Sequence, residues 1–464
     1  MSPSVCRSFW FTLLFVSAQL CSIAEGWKAG VATTLITPEK PMWMAGYGGR
    51  TEPASGVRHP LWIKVLVVED AGGRRGVVMS SDTLGIPRTI YENTVSALGA
   101  KHGLEPSQIM LHASHTHCGP VLRGALHDIY PLDGEQLRLI GEYSAKLEEG
   151  IVETVGRAIA DLAPARLFAG QGVTRFAVNR RNNVEGDVPR LREEGALLGP
   201  VDHSVPTLVV RRPDGALKTV VFGYACHNTT LSFNEWCGDY AGFAQLALER
   251  SHAGAVAMFF AGCGADQNPL PRRSVELAQR YGGMLAAAVE EVLLDSPTEL
   301  APELRSALEL VPLKLGAAPT RTELDEIAKG PDSNYRVRWA KRLLAELDAG
   351  KPFQREYPYP VQVWSLGGQR WIALGGEVVV DYALRFKAEY GTGTWVAGYC
   401  NDVMAYIPSR RVLMEDVPPR ASKRWGYEGN TSMMVYGLPA HRWADDVEDV
   451  IGFAVRRLLG RLSE

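Results

Sequence analysis

Gln108-Ile-Met-Leu-His-Ala-Ser-His-Thr-His-Cys-Gly-Pro120 passes from an apolar run to a histidine-rich one within a few residues. Residues 109–111 have the composition of a core strand, and Gly119-Pro120 close it. The stretch reads as a buried strand ending at a site of chemistry, with His115 and His117 at or just past its tip. If the backbone is still extended there, a spacing of two sends both imidazoles to one face, where one metal or one substrate can meet both. Neighbouring histidines also occur as satisfied polar residues, so the pair needs support from elsewhere in the chain.

The 464 residues, 46% hydrophobic and 22% charged, are enough to bury a large core and exclude a disordered or collagen-like chain. A net charge of −3 with no basic block excludes a nucleic-acid track and a polybasic membrane patch, which leaves a small molecule as the partner. Arg7, the apolar residues 9–18 and Ser22-Ile23-Ala24 form the three regions of a cleaved signal peptide over residues 1–24, so the mature protein is expected to be secreted or periplasmic. Later stretches are too short or too polar to cross a bilayer. Of seven cysteines, Cys6 and Cys21 fall in that leader. Cys118, Cys226, Cys237, Cys263 and Cys400 match no zinc-ribbon spacing and read mainly as small buried hydrophobes.

Strands are expected over residues 31–37, 62–68 and 75–80, with a glycine-rich loop Met44-Ala-Gly-Tyr-Gly-Gly-Arg50 suited to close approach of a ligand. Helices follow over residues 87–100 and 134–160. Residues 205–211 and 217–224 around Pro213-Asp-Gly215 make the clearest hairpin, and its second strand runs straight into Cys226-His227. An apolar run over 255–260 leads to Ala261-Gly-Cys-Gly-Ala-Asp-Gln-Asn-Pro269, with helices to either side, and charged helices occupy 323–349. Strands at 361–365 and 371–374 lead to Gly375-Gly-Glu377, and a helix from residue 443 closes the chain. The pattern predicts an α/β fold of mixed, largely antiparallel sheets covered by helices, as one large catalytic domain over residues 25–464.

His115, His117, His227, Asp266 and Glu377 all follow core-like strands, and strand exits in sheet-based folds gather at one edge. Two histidines, a carboxylate and an open position form a catalytic zinc set, because neutral imidazole and carboxylate bind Zn²⁺ while leaving room for a water that the ion activates. The competing role for Glu377 is to cap the helix behind it.

In Met44-Ala-Gly-Tyr47, His115-Thr-His-Cys-Gly-Pro120, Asn179-Arg180, His227, Gly375-Gly-Glu377, Tyr406 and Tyr427-Glu-Gly429, the chain resembles the neutral/alkaline non-lysosomal ceramidases over nearly all of its mature length. Members are secreted or membrane-associated zinc amidohydrolases that cleave the N-acyl bond of ceramide. The resemblance implies zinc held by His115, His227, Glu377 and Tyr406. His117 would hydrogen-bond the substrate carbonyl or shuttle a proton, and Arg180 and Tyr427 would stabilise the oxyanion.

The chain also departs from the family pattern. Where the family has Asn/Asp-x-Ser-Pro-Asn, this chain has Ala265-Asp-Gln-Asn-Pro269, with Gln267 expected in the serine's place. A glutamine cannot be a nucleophile, whereas attack by metal-activated water survives with Gln267 as a hydrogen-bond donor; Cys263 is the rival nucleophile. His-Pro-Thr in the family is His227-Asn-Thr here, and the family's C-terminal β-sandwich-like domain is not expected. The resulting expectation is an exported zinc hydrolase acting on ceramide or a related N-acyl lipid, with only transient membrane-surface contact. The alternatives are a zinc hydrolase for a more polar ester or carbohydrate-type substrate, and an inactive binding homologue.

Overall fold

Successive side chains of the strand Trp62–Glu69 enter different cores. Ile63, Val65 and Val67 join the cluster under the helices Arg88–His102 and Gly134–Ala160, while Leu66 and Val68 join a second cluster on the opposite face. A strand covered on both faces reads as an unbroken apolar run, which is why residues 62–68 and the 205–224 hairpin were legible in sequence. The computed structural model describes residue 1 and residues 26–126, 128–415 and 426–463. The leader expected over residues 1–24 lies, Met1 apart, outside the described residues.

The first sheet runs, in spatial order, Val256–Ala261, Leu217–Tyr224, Ser204–Arg211, Ala163–Val173, Trp27–Leu35, Trp62–Glu69, Arg75–Ser81, Ile109–Ala113. Its pairings are antiparallel except at the two ends, where Val256–Ala261 lies parallel to Leu217–Tyr224 and Ile109–Ala113 parallel to Arg75–Ser81. A second sheet orders Leu304–Lys314, Glu356–Leu366, Gln369–Leu374 and Trp395–Ala397, again parallel only at its last pair. The sheets face each other across a core of Trp27, Leu66, Met110, Met258 and Phe260 from one side and Trp364, Trp371 and Trp395 from the other. Helices Asp239–Ser251 and Val275–Leu294 cover more of the first sheet, and Val447–Ser463 and Asp381–Tyr390 cover the second. The α/β fold of largely antiparallel sheets under helices is thus present, as four layers.

The boundaries differ in places. The first strand begins at Trp27, the 323–349 segment is two helices, Arg321–Ala328 and Tyr335–Asp348, and the last helix starts at Val447. No described helix is long and apolar enough to cross a membrane.

Candidate metal centre

The parallel strand ends bring the site together. Ile109–Ala113 delivers His115, Leu217–Tyr224 delivers His227, and Gln369–Leu374 leads to Glu377. A short parallel ladder then sets Glu377 directly opposite Tyr406. Cross-strand partners present side chains to the same side, so this register places a carboxylate beside a phenol.

His115 and His117 do converge, with their Nε2 atoms 3.2 Å apart, but strand alternation is not the cause. The strand stops at Ala113, and His115 takes a left-handed conformation, φ 57°. That geometry is uncommon for a side chain with a Cβ and persists only where its surroundings hold it. Here the ring is held by its Nδ1, which donates to Leu84 O at 2.6 Å. His227 is pinned alike, its Nδ1 donating to Gly264 O at 2.8 Å.

A carbonyl can only accept, so each Nδ1 carries the proton, and in the neutral ring each Nε2 bears a lone pair. Both lone pairs face Glu377 Oε2, at 3.2 Å from His115 and 3.1 Å from His227. Oε2 is buried and receives no hydrogen bond. Tyr406 Oη lies 3.2 Å from His227 Nε2. Donors about 2.0–2.1 Å from one tetrahedral ion would stand about 3.3 Å apart, so the two imidazole lone pairs and the carboxylate oxygen, with no proton among those three atoms, fit a divalent cation. His115, His117 and His227 by themselves form a buried group able to hold a metal ion, their ligand atoms lying within 4.8 Å of one another. His117 differs from the other two: its Nδ1 is buried without a partner, and its ring packs tilted, 4.6 Å from that of Tyr47.

The electrostatics suit metal binding. Burial, then the charge of Arg180, pushes His227 down to about 4. Burial, with His115 and His227 alongside, keeps His117 well below its usual range, and neutral imidazole is the ligating form. Burial raises the Glu377 carboxyl, and only positive charge on the His115 and His227 rings beside it pulls the group well below the carboxylate range; with both rings neutral that part is left to a cation. Burial and Glu377 raise Tyr406 well above the normal phenol value, against which the Arg180 charge acts.

Arg180 is no surface arginine. Its Nη2 donates to Tyr406 Oη at 3.2 Å, its Nε to Glu428 Oε1 at 2.9 Å, and its Nη1 lies 3.5 Å from His227 Nε2. Glu428 also binds the fully buried Arg181, at 2.5 Å, so one carboxylate anchors both guanidinium groups. The Tyr427 ring packs 5.2 Å from that of Tyr406, with the Arg180 guanidinium over both.

Other expected site residues sit elsewhere. The Asp266 carboxylate accepts from Val380 N and Asn179 Nδ2, bracing the backbone beside Glu377. Gln267 pairs with Asn179 in a short ladder, and its amide donates to Pro200 O at 3.2 Å. Its neighbour Asn268 is the residue that meets Arg180, with Oδ1 3.4 Å from Nη1. Adjacent strand residues point to opposite faces, so the Gln267 side chain turns away from the side on which Asn268 meets Arg180. Cys263 is buried in the core of the second sheet and burial pushes its thiol up, which leaves it a poor nucleophile. All five described cysteines are buried and free.

Two residues were missed in sequence. The hydroxyl of Tyr436 donates to Glu377 Oε1 at 2.5 Å, and Asn268 faces Arg180; a tyrosine in a turn and an asparagine in a three-residue strand carry no periodic signal. An apolar cavity adjoins the site, lined by Ala45, Leu84, Leu122, Leu126, Val403 and Tyr436. A roomier cavity, about 180 Å³, lies between residues 34–42 and the Gly134–Ala160 helix and touches none of the metal-site residues.

The chain is a layered α/β protein with a buried histidine–carboxylate cluster at its strand exits, whose histidines could hold a metal ion. This chain belongs to the family of the neutral/alkaline non-lysosomal ceramidases, whose N-terminal region it matches over residues 27–268. The neutral ceramidase of Pseudomonas aeruginosa is 27% identical over 235 residues, which are 48% of this chain and 34% of that one. That of Mycobacterium tuberculosis is 26% identical over 220 residues, 46% of this chain and 34% of that one. These matches span about a third of the length of either relative. The crystal structure of the Pseudomonas aeruginosa neutral ceramidase superposes with a TM-score of 0.68 at 20% identity, covering 93% of this chain and 74% of that one. A ceramidase complexed with C2 gives 0.66 at 19%, covering 93% and 76%. The likeness to these structures is one of fold.

Proposed function

We propose that the protein is an exported zinc-dependent amidohydrolase that cleaves the N-acyl bond of ceramide or a related N-acyl lipid. One observation carries the reading: two histidines pinned through Nδ1 by backbone carbonyls turn their Nε2 lone pairs onto Glu377 Oε2, with Tyr406 Oη beside them. His115, His227, Glu377 and Tyr406 are the residues assigned to hold the ion. When bound, zinc polarises a scissile carbonyl and lowers the pKa of a water, supplying a nucleophile near neutral pH.

The chain's own groups have separable tasks. His117, with no partner on Nδ1, is free to exchange tautomer, which suits it to hydrogen-bond the carbonyl or carry a proton to the leaving nitrogen. Arg180 is held by Glu428 with its charge on the Tyr406 side, where it counters negative charge developing on oxygen, and Tyr427 lines the same side. Asn268 takes over the hydrogen-bonding task expected of Gln267. The apolar cavity bordered by Tyr436 and Leu84, about 10 Å³, has room for about one water, so the ranking of the N-acyl lipid above the ester or carbohydrate-type substrate rests on the family. The partner is then a lipid met by transient contact with a membrane surface.

The test is metal analysis of the purified protein paired with a screen of N-acyl and ester substrates. Stoichiometric zinc with chelator-sensitive release of fatty acid is the expected result. Zinc with ester but not amide turnover moves the substrate class, and neither metal nor turnover leaves an inactive homologue.

A further inference from the structure

We infer that Tyr436 is a positioning residue for the carboxylate of the metal site. It fixes Glu377 so that one oxygen, Oε2, is offered to the ion. The Tyr436 hydroxyl donates to Oε1 at 2.5 Å, while Oε2 faces the lone pairs of His115 and His227 at 3.2 and 3.1 Å. A carboxylate on a terminal sp³–sp² torsion is otherwise loosely set, because that torsion is broad rather than sharply staggered. A charge-assisted hydrogen bond on one oxygen removes that freedom and leaves the other in a single place.

The phenol is held in turn. Its ring packs where three hydrophobic clusters meet, two beneath the helices that cover the first sheet and one between the second sheet and its helices. The turn after it is tied to the Tyr335–Asp348 helix, Arg342 Nη2 donating to Gly437 O at 2.7 Å and Trp339 Nε1 to Leu438 O at 2.9 Å. Any buried tyrosine seeks an acceptor. This one reaches the free oxygen of the cluster's only carboxylate among the described donors, from a backbone anchored at the two residues after it. Groups that orient metal ligands in this way carry much of a site's affinity.

The proposal rests on the zinc site put forward above and is tested without turnover. Zinc affinity is measured by competition against a chromophoric chelator for the wild-type chain, Tyr436→Phe and Tyr143→Phe. The last variant removes a buried hydroxyl of similar standing, one that donates to Ile36 O at 2.6 Å. Tyr436→Phe is expected to bind zinc about 10–100-fold more weakly, with Tyr143→Phe unchanged. Zinc binding by Tyr436→Phe equal to wild type overturns this proposal and leaves the zinc site standing. A wild-type chain that binds no zinc overturns both. If Tyr436→Phe does not fold, Arg342→Ala keeps the phenol but frees the turn at Gly437. It is expected to weaken zinc several-fold, and unchanged affinity there equally overturns the proposal.

Discussion

Replacing Gly46 by alanine separates the two ways the histidines can be read. Gly46 has φ +99°, and a Cβ built on it would fall 2.3 Å from His117 Nδ1 and 2.4 Å from its Cγ. Ordinary contact starts near 3.4 Å, so the imidazole must retreat by about 1 Å. The left-handed backbone adds a further ~1–2 kcal/mol for any residue with a Cβ. His115 and His227 are fastened through their own Nδ1 atoms and do not depend on Gly46. If His117 works on the substrate and not on the ion, Gly46→Ala keeps its zinc and loses turnover by ~100-fold, the usual consequence of a 1 Å misplacement. The assay is zinc content by elemental analysis beside fatty-acid release from an N-acyl substrate, with denaturant unfolding to confirm that the loss of stability stays within a few kcal/mol. Loss of zinc together with activity would make His117 a ligand and refute the four-residue set. Turnover equal to wild type would remove His117 from the chemistry.

His115→Ala is expected to abolish both stoichiometric zinc and activity, since one ligand of four is gone; full zinc content in the variant counts against the assignment. Asn268→Ala is expected to cut turnover at least tenfold more than Gln267→Ala, because Asn268 meets Arg180 and Gln267 does not; equal losses would refute the preference for Asn268. His112 is buried with its ring stacked on Trp371, and burial lowers it from 6.5 to about 3. Between those values the unfolded chain holds a proton that the folded chain excludes, so this group's contribution is complete above pH 6.5 and is lost as pH falls toward 3. From pH 7 to pH 5 that amounts to ~2 kcal/mol. Unfolding of the metal-free chain by urea at both pH values should therefore show a smaller drop for His112→Asn than for wild type, and equal drops would refute the attribution.

Legibility in sequence tracked burial on two faces. Residues 205–211 and 217–224 are largely apolar because helices cover one side of their sheet and a second sheet covers the other. Two long strands escaped notice for the opposite reason. Ala163–Val173 carries Gly170 and Gly172 where helix Val275–Leu294 presses close, a Cβ at Gly172 falling 2.3 Å from Ala288 O, and glycines weaken any strand pattern. Leu304–Lys314 is an edge strand, half-exposed along much of its length and interrupted by Pro312.

At the site the same physics separates what was readable from what was not. His115, His227 and Glu377 stand at the ends of apolar strands, and sequence marks such ends because composition changes abruptly there. Tyr406, Asn268 and Tyr436 reach the site by other means: a two-residue ladder opposite Glu377, one face of a three-residue strand, and a turn tied to a distant helix. Each depends on a register or an anchor set by residues far away in the chain, and a shift of one position exchanges the side chain in the site for one in the core. Gln267 and Asn268 are that exchange. Both carry an amide, so an acceptor for the Arg180 guanidinium is available in either register, and composition alone could not separate them. What separates them is the pairing of Gln267 with Asn179, which turns its side chain toward Pro200 and so gives the site to the residue after it.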